Sequence, residues 1–230
     1  MNLSVKDAAR LLNVSEKTIY RWIKQEIIPA YRVHEQYRFN RAEILEWATS
    51  RRMGVSPEAY TEPDIDSQAL PTLSETLESG GIFYRIEGRT REEILADVVA
   101  HLRIPEEVDR EHLRQVLIAR EKLASTGIGD GIALPHPRNP VLLHVTRPTV
   151  TLCFLENPVD FHAFDGQPVR VLFTLITPTV RYHLHLLSKL GFALKNPRFM
   201  DAVQKEASRE ALFAALHQAE MNIGRDRLAP

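Results

Sequence analysis

The run STGIGDGIALPHPR at residues 125–138 sets one histidine, His136, between two prolines and downstream of three alternating glycines, Gly127, Gly129 and Gly131. Pro135 and Pro137 restrict the backbone on either side, so the ring is presented in few orientations. The glycines let the chain bend and approach an anion with no Cβ in the way. Ser125 and Thr126 add hydroxyl donors. Arg120, at the end of the preceding segment, carries a planar fork of donors that can hold a phosphate by two contacts. These parts suit a histidine nitrogen that accepts a phosphoryl group while neighbouring donors neutralise its oxygens. Residue types by themselves favour the plainer alternative, a structural histidine at a turn. The loop is not a Walker A sequence, because no Gly-Lys-Ser/Thr closes it.

Two further histidines, His183 and His185, stand at i and i+2. Such positions do not face each other on a helix. A zinc site from His136, His183 and His185 is the metal alternative, but it lacks a Cys or acidic ligand at a recognisable spacing. We expect neither metal nor cofactor. No G-x-S-x-G elbow and no HExxH occurs, so hydrolase chemistry has no support. Asp165-Gly166 reads as a turn.

The elements that must position His136 alternate in type from Leu73 onward. LSETLES precedes a strand-like IFYRI. TREEILADVVAHL then places Ile94, Leu95, Val98, Val99 and Leu102 at helical spacing, and DREHLRQVLIAREKL does the same with Leu113, Val116 and Leu117. Beyond the loop, PTVTLCFL and PVRVLFTLI read as strands. Helical segments follow at about 181–195 and 199–216. This order predicts an α/β or α+β domain, a mixed sheet flanked by helices, over residues 73–217, with a tail at 218–230.

Charge divides the rest of the 230-residue chain, whose formal net charge is only −1. Residues 1–53 hold ten Lys or Arg against six Asp or Glu, a balance of +4. Residues 54–81 hold six acids, three prolines and no Lys or Arg, which marks an acidic linker at 54–72. In the basic module, Ser4 and Asp7 suggest a capping box before a helix with Ala8, Leu11 and Leu12 on one face. A second helix begins after Ser15, with Ile19, Trp22 and Ile23 inward. AYRVHEQYRF alternates as two short strands with a tip near His34–Gln36, and a third helix follows Asn40 with Ile44, Leu45 and Ala48 inward. Helix, short turn, helix, wing, helix is the order of a small winged helix-turn-helix domain.

The segments AARLLNVSEKTIYRWI, IIPAYRV and YRF resemble the excisionase-like and MerR-like DNA-binding domains over residues 3–51. That resemblance implies double-stranded DNA as a partner. Lys17, Thr18, Tyr20 and Arg21 are then the candidates for the groove, and Arg32 and Arg38 those for phosphate contacts from the wing. It also implies self-association, most simply as a dimer on paired half-sites. The wing tip lacks the glycine or asparagine common in such turns.

The stretch LIAREKLASTGIGDGIALPH resembles the IIA domains of the bacterial phosphoenolpyruvate-dependent phosphotransferase system, in the fructose–mannitol–nitrogen branch. PVDFHAFDGQPVRVLFTLITP and HLHLLSKL extend the similarity across about 73–216. The resemblance implies that His136 is phosphorylated by an HPr-type phosphocarrier, that Arg120 is the active-site arginine, and that His183 lies near the phosphorylated ring. Such a chain is a phosphocarrier component and not a turnover enzyme. The family usually has glycine, alanine or cysteine after the histidine; here Pro137 removes an N–H.

The single cysteine, Cys153, excludes an intrachain disulfide framework. The first residues lack a signal peptide's apolar stretch, and no apolar run is long enough to cross a bilayer. A soluble, cytoplasmic regulator is expected, in which phosphorylation of His136 is coupled to DNA binding. The alternatives are a phosphocarrier or protein-binding regulator whose small module docks protein, and a DNA-binding protein whose IIA-like part is degenerate and not phosphorylated.

Overall fold

The computed structural model describes residues 2–33, 36–51, 53, 70–138 and 145–226. The chain divides into two compact units, Met1–Ala69 and Leu70–Pro230. The acidic stretch at 54–69 lies outside the described residues, as do His34 and His144.

In the smaller unit, β1 (Asn2–Leu3) precedes α1 (Val5–Leu11) and α2 (Glu16–Lys24), followed by β2 (Tyr31–Val33), β3 (Gln36–Asn40) and α3 (Arg41–Ser50). The capping box is present: Asp7 N donates to Ser4 Oγ while Ser4 N donates to the Asp7 carboxylate. Ser15 caps α2 in the same position. Ala8, Leu12, Ile19, Phe39, Ile44 and Ala48 are fully buried and form its core. Trp22 and Ile23 are half-buried. The Trp22 ring meets that of Trp47 at 5.2 Å with the planes inclined at 59°, and the Trp47 indole N–H donates to the Ile27 carbonyl at 2.5 Å. The two wing strands pair antiparallel, and β1 adds an unanticipated third strand on β3, with Leu3 opposite Phe39.

The larger unit is a mixed sheet between two layers of helices. Its elements are α4 (Leu73–Gly80), β4 (Ile82–Ile86), α5 (Arg91–His101), α6 (Arg110–Leu123), β5 (Gly127–Gly129), β6 (Ile132–Ala133), β7 (Thr149–Val159), β8 (Val169–Ile176), α7 (Val180–Ala193), α8 (Pro197–Gln204) and α9 (Arg209–Asp226). The strand order is β4-β7-β8-β6-β5, with β4 parallel to β7, β6 parallel to β8 and the other pairs antiparallel. The near-continuous apolar runs of β7 and β8 follow from burial on both faces. Leu152, Phe154, Val171, Phe173 and Leu175 join α4 and α7–α9 in one core. Cys153, Leu155, Leu172 and Ile176 join α5 and α6 in the other.

Three expectations need correction. The helical stretch expected at 199–216 is broken at Glu206, whose φ is 49°, into α8 and α9. Asn196 caps α8, with Pro197 in its first turn. The expected tail at 218–230 is helical as far as Asp226, because Ala219 is buried in the core and the Glu220 carboxylate accepts from the N–H groups of Leu73 and Ser74 at the start of α4. Val116, expected inward, is half-buried.

Candidate functional site

The sheet carries His136 to its place. β6 runs parallel to β8, and the chain beyond it stays beside β8, where Leu175 N donates to the Pro135 carbonyl at 3.0 Å. His136 therefore follows the carboxyl end of β6, on the side toward which β8 runs before the chain turns into α7. Ligand sites of open α/β sheets gather at such ends.

His136 is 2 % exposed. Its Nδ1 lies 2.6 Å from the Leu134 carbonyl. A carbonyl oxygen only accepts, so Nδ1 carries the proton and Nε2 carries the lone pair. Arg120 Nε donates to that Nε2 at 3.3 Å, and Arg120 Nη1 donates to the Ala124 carbonyl at 2.7 Å. The His183 ring stands 4.9 Å from the His136 ring, centroid to centroid. Its Nδ1 is buried and has no hydrogen-bond partner among the described residues. Burial, then the Arg120 charge, lowers the pKa of His136 to about 3 against the pull of the Leu134 carbonyl. Burial, then the neighbouring His136 and Arg120, also holds His183 well below its ordinary value. Both rings are neutral at neutral pH.

Arg120, His136 and His183 are thus brought together. Glu121, next to Arg120, joins them. It is 4 % exposed, accepts from Thr126 N at 3.1 Å and Thr126 Oγ1 at 2.5 Å, and faces Arg91 at 3.9 Å. Burial raises its pKa, against the hydrogen bonds from Thr126 and the charges of Arg120 and Arg91. The Ser125 hydroxyl accepts from Gly127 N. The Thr126 hydroxyl, expected as a phosphate donor, gives its proton to Glu121, whereas the Ser125 hydroxyl accepts from the backbone and keeps its own O–H to donate.

The glycines serve a hairpin. Gly127 and Gly129 lie in β5, and Gly129 (φ 88°), Asp130 (φ 51°) and Gly131 (φ 72°) make the reversal into β6. A Cβ on Gly127 would stand 2.7 Å from that of Ala163. Asp165 accepts from Asp130 N at 2.8 Å and from Gln167 N at 3.1 Å, fastening this hairpin to its own turn. His185 is not part of the cluster: its Nε2 meets the Pro71 carbonyl at 2.9 Å. Among the described residues no group of three metal-ligating side chains is assembled. The carbonyls of Leu134 and Ala124, which orient the ring and the guanidinium, belong to residues whose side chains give no sequence signal.

Residues 75–219 match the family model described as the phosphoenolpyruvate-dependent sugar phosphotransferase system, EIIA 2. The chain belongs to this family. Residues 3–52 match the model of a helix-turn-helix domain. A nitrogen regulatory protein of Pseudomonas aeruginosa is 36 % identical over 146 residues, which cover 61 % of this chain and 92 % of that protein. The nitrogen regulatory protein of Escherichia coli K12 is 33 % identical over 131 residues, covering 56 % of this chain and 77 % of its own length. The crystal structure of nitrogen regulatory protein IIA-Ntr from Neisseria meningitidis superimposes with a TM-score of 0.55 at 29 % identity, over 63 % of this chain and 98 % of that one. The larger unit is accordingly a IIA unit of the nitrogen-regulatory type.

In the helix-turn-helix unit, Lys17, Tyr20 and Arg21 are exposed on α2. Thr18 is half-buried, and its hydroxyl is 2.9 Å from that of Ser15 within the cap. Arg38 is half-buried and sits opposite Tyr31 in the strand register; Arg32 sits opposite Tyr37. Successive residues of a strand face opposite ways, so Arg38 lies on the other side of the ribbon from Phe39 and the core. The side chain of Arg32 lies outside what the structure describes. Among the described residues, no helix is long and apolar enough to cross a membrane.

Proposed function

We propose that this chain is a cytoplasmic transcriptional regulator whose IIA unit accepts a phosphoryl group on His136 from an HPr-type phosphocarrier, and whose helix-turn-helix unit binds double-stranded DNA, most simply as a dimer. The observation that carries the phosphoryl half is the contact of His136 Nδ1 with the Leu134 carbonyl at 2.6 Å. With Nδ1–H tied to the Leu134 carbonyl, Nε2 is the nucleophile. Its lone pair forms the new P–N bond as the donor's P–N bond breaks, and that electron pair returns to the donor ring. The positive charge left on the His136 ring is stabilised through Nδ1–H by the same carbonyl. Arg120 leaves the nitrogen and takes phosphoryl oxygens, while His183 Nδ1, without a partner among the described residues, gains an oxygen to bond. These side chains supply donors where Pro137 offers no N–H.

The DNA half rests on the capped α2 with Lys17, Tyr20 and Arg21 exposed, in a module of balance +4. Thr18, spent on its cap, contributes to helix position more than to a base.

Phosphoenolpyruvate, enzyme I and an HPr-type carrier should label the wild-type chain and leave His136→Ala unlabelled. Equal labelling of the two would move the site elsewhere, and no labelling of either would support the degenerate reading. Binding of duplex DNA should weaken steeply between two salt concentrations. A chain that enriches no sequence from a random pool, phosphorylated or not, would sink the transcription-factor half and favour the protein-docking alternative.

A further inference from the structure

Tyr20 is 51 % exposed, a large share for a ring at the centre of a helix face. On α2 it has Lys17 and Lys24 at i−3 and i+4 and Arg21 beside it, all exposed. One neighbour fixes it. The Tyr37 ring from β3 meets Tyr20 at 6.4 Å between centroids with the planes at 75°, an edge-to-face arrangement. Tyr37 is itself anchored. It is half-buried and lies on the same strand face as Phe39, which is fully buried in the core. The reverse face of the ribbon is held separately, where Tyr31 Oη donates to Glu43 of α3 at 2.5 Å. The wing is therefore fastened on both faces, and its inner fastening ends on the exposed ring of the helix.

We infer that Tyr37 is a positioning residue for DNA readout: it holds Tyr20 in one orientation on α2 so that this phenol acts as a specificity-determining contact. This rests on the DNA-binding reading above. A phenol standing free on a helix loses rotamer freedom when it docks, whereas one already braced by a second ring keeps more of its contact energy. The bracing selects one ring orientation, so its loss is felt at the preferred sequence and little at an arbitrary one. Phosphate contacts from Lys17, Arg21 and Lys24 do not depend on it, so the salt dependence stays as it was.

The experiment uses the full-length chain, a duplex enriched by that chain from a random pool, and an unrelated duplex of equal length. Fluorescence anisotropy at two salt concentrations gives the ratio of the two affinities and the salt slope. Tyr37→Leu, which keeps apolar bulk for the core and removes the ring edge, should lower the ratio about fivefold with the slope unchanged. Tyr37→Phe should leave the ratio within about twofold, since it retains the edge. In a Tyr20→Ala background, Tyr37→Leu should have no further effect on the ratio. An unchanged ratio in Tyr37→Leu, or an equal loss on both duplexes, overturns the inference and leaves the DNA reading intact. Failure of the wild-type chain to enrich any duplex overturns the parent reading, and shows itself before any substitution is made.

Discussion

A histidine buried like His136 meets protons late. Its pKa is lowered to about 3, chiefly by burial and then by Arg120, so Nε2 keeps its lone pair throughout the ordinary range of pH. Phosphoryl transfer to the chain should therefore show no inflection from His136 between about pH 5 and 8, where an exposed imidazole would titrate near 6.5. An NMR titration of the ring carbons checks this directly, and a midpoint near 6.5 would refute it. Arg120→Ala should preserve the fold and slow transfer by about 100-fold, the typical cost of losing one charge-stabilising donor. Quench-flow labelling measures that loss, and an unchanged rate removes Arg120 from the site. His136 and Arg120 stood out by residue type, the phosphoryl role of His136 and the place of His183 came with the resemblance to the IIA family, and the fold brings the three side chains together. The partner of Thr126 was not legible. A hydroxyl next to a glycine run reads as a ligand donor, whereas that of Thr126 donates to the Glu121 carboxylate.

Among the elements, the strands and helices of the larger unit followed their periodicity, and the failures lie where tertiary contacts override it. The extension of α9 goes with a carboxylate, Glu220, that meets the start of α4 from 147 residues away in sequence. Local pattern carries no trace of such a partner. Close approach between elements gives a sharper test. A Cβ on Gly80, the last residue of α4, would stand 2.2 Å from the Val150 carbonyl oxygen of β7. Because that neighbour is backbone in the central sheet, it yields little. Gly80→Ala should cost about 2–3 kcal/mol, read from the urea midpoint, and a near-neutral effect would show that α4 is free to shift. In the smaller unit Trp22→Ala should cost about 2 kcal/mol, because it opens the Trp22–Trp47 contact under α3. Near-ultraviolet circular dichroism would report the loss of that packing.

For the whole molecule, the two buried histidines make stability depend on pH. Their folded pKa values lie below the unfolded value of 6.5, so the unfolded chain takes up protons first. Stability is fully present above about pH 6.5 and falls as pH drops toward the folded values, by at most ~1.4 kcal/mol per pH unit for each ring. Urea midpoints of wild type should decline between pH 7.5 and 5, and the decline should be smaller in His136→Asn. Equal declines in both would mean that other groups set the acid sensitivity. Two units were legible from the charge balance together with the prolines of the acidic stretch between them. The three-layered build of the larger one was legible only as a class, because short strands such as β5 and β6 carry glycines and too few residues for a period to show.

His183 and His185 are two residues apart on α7, about 200° around the helix. One ring touches the candidate phosphoryl acceptor; the other grips the carbonyl of Pro71, in the short segment that leads into α4. A helix of 14 residues behaves as a rod over so short a span. Any displacement of α7 at the His136 flank would therefore be felt at the Pro71 flank as well. The acceptor and the place where the chain joins the IIA unit share a single crossbar.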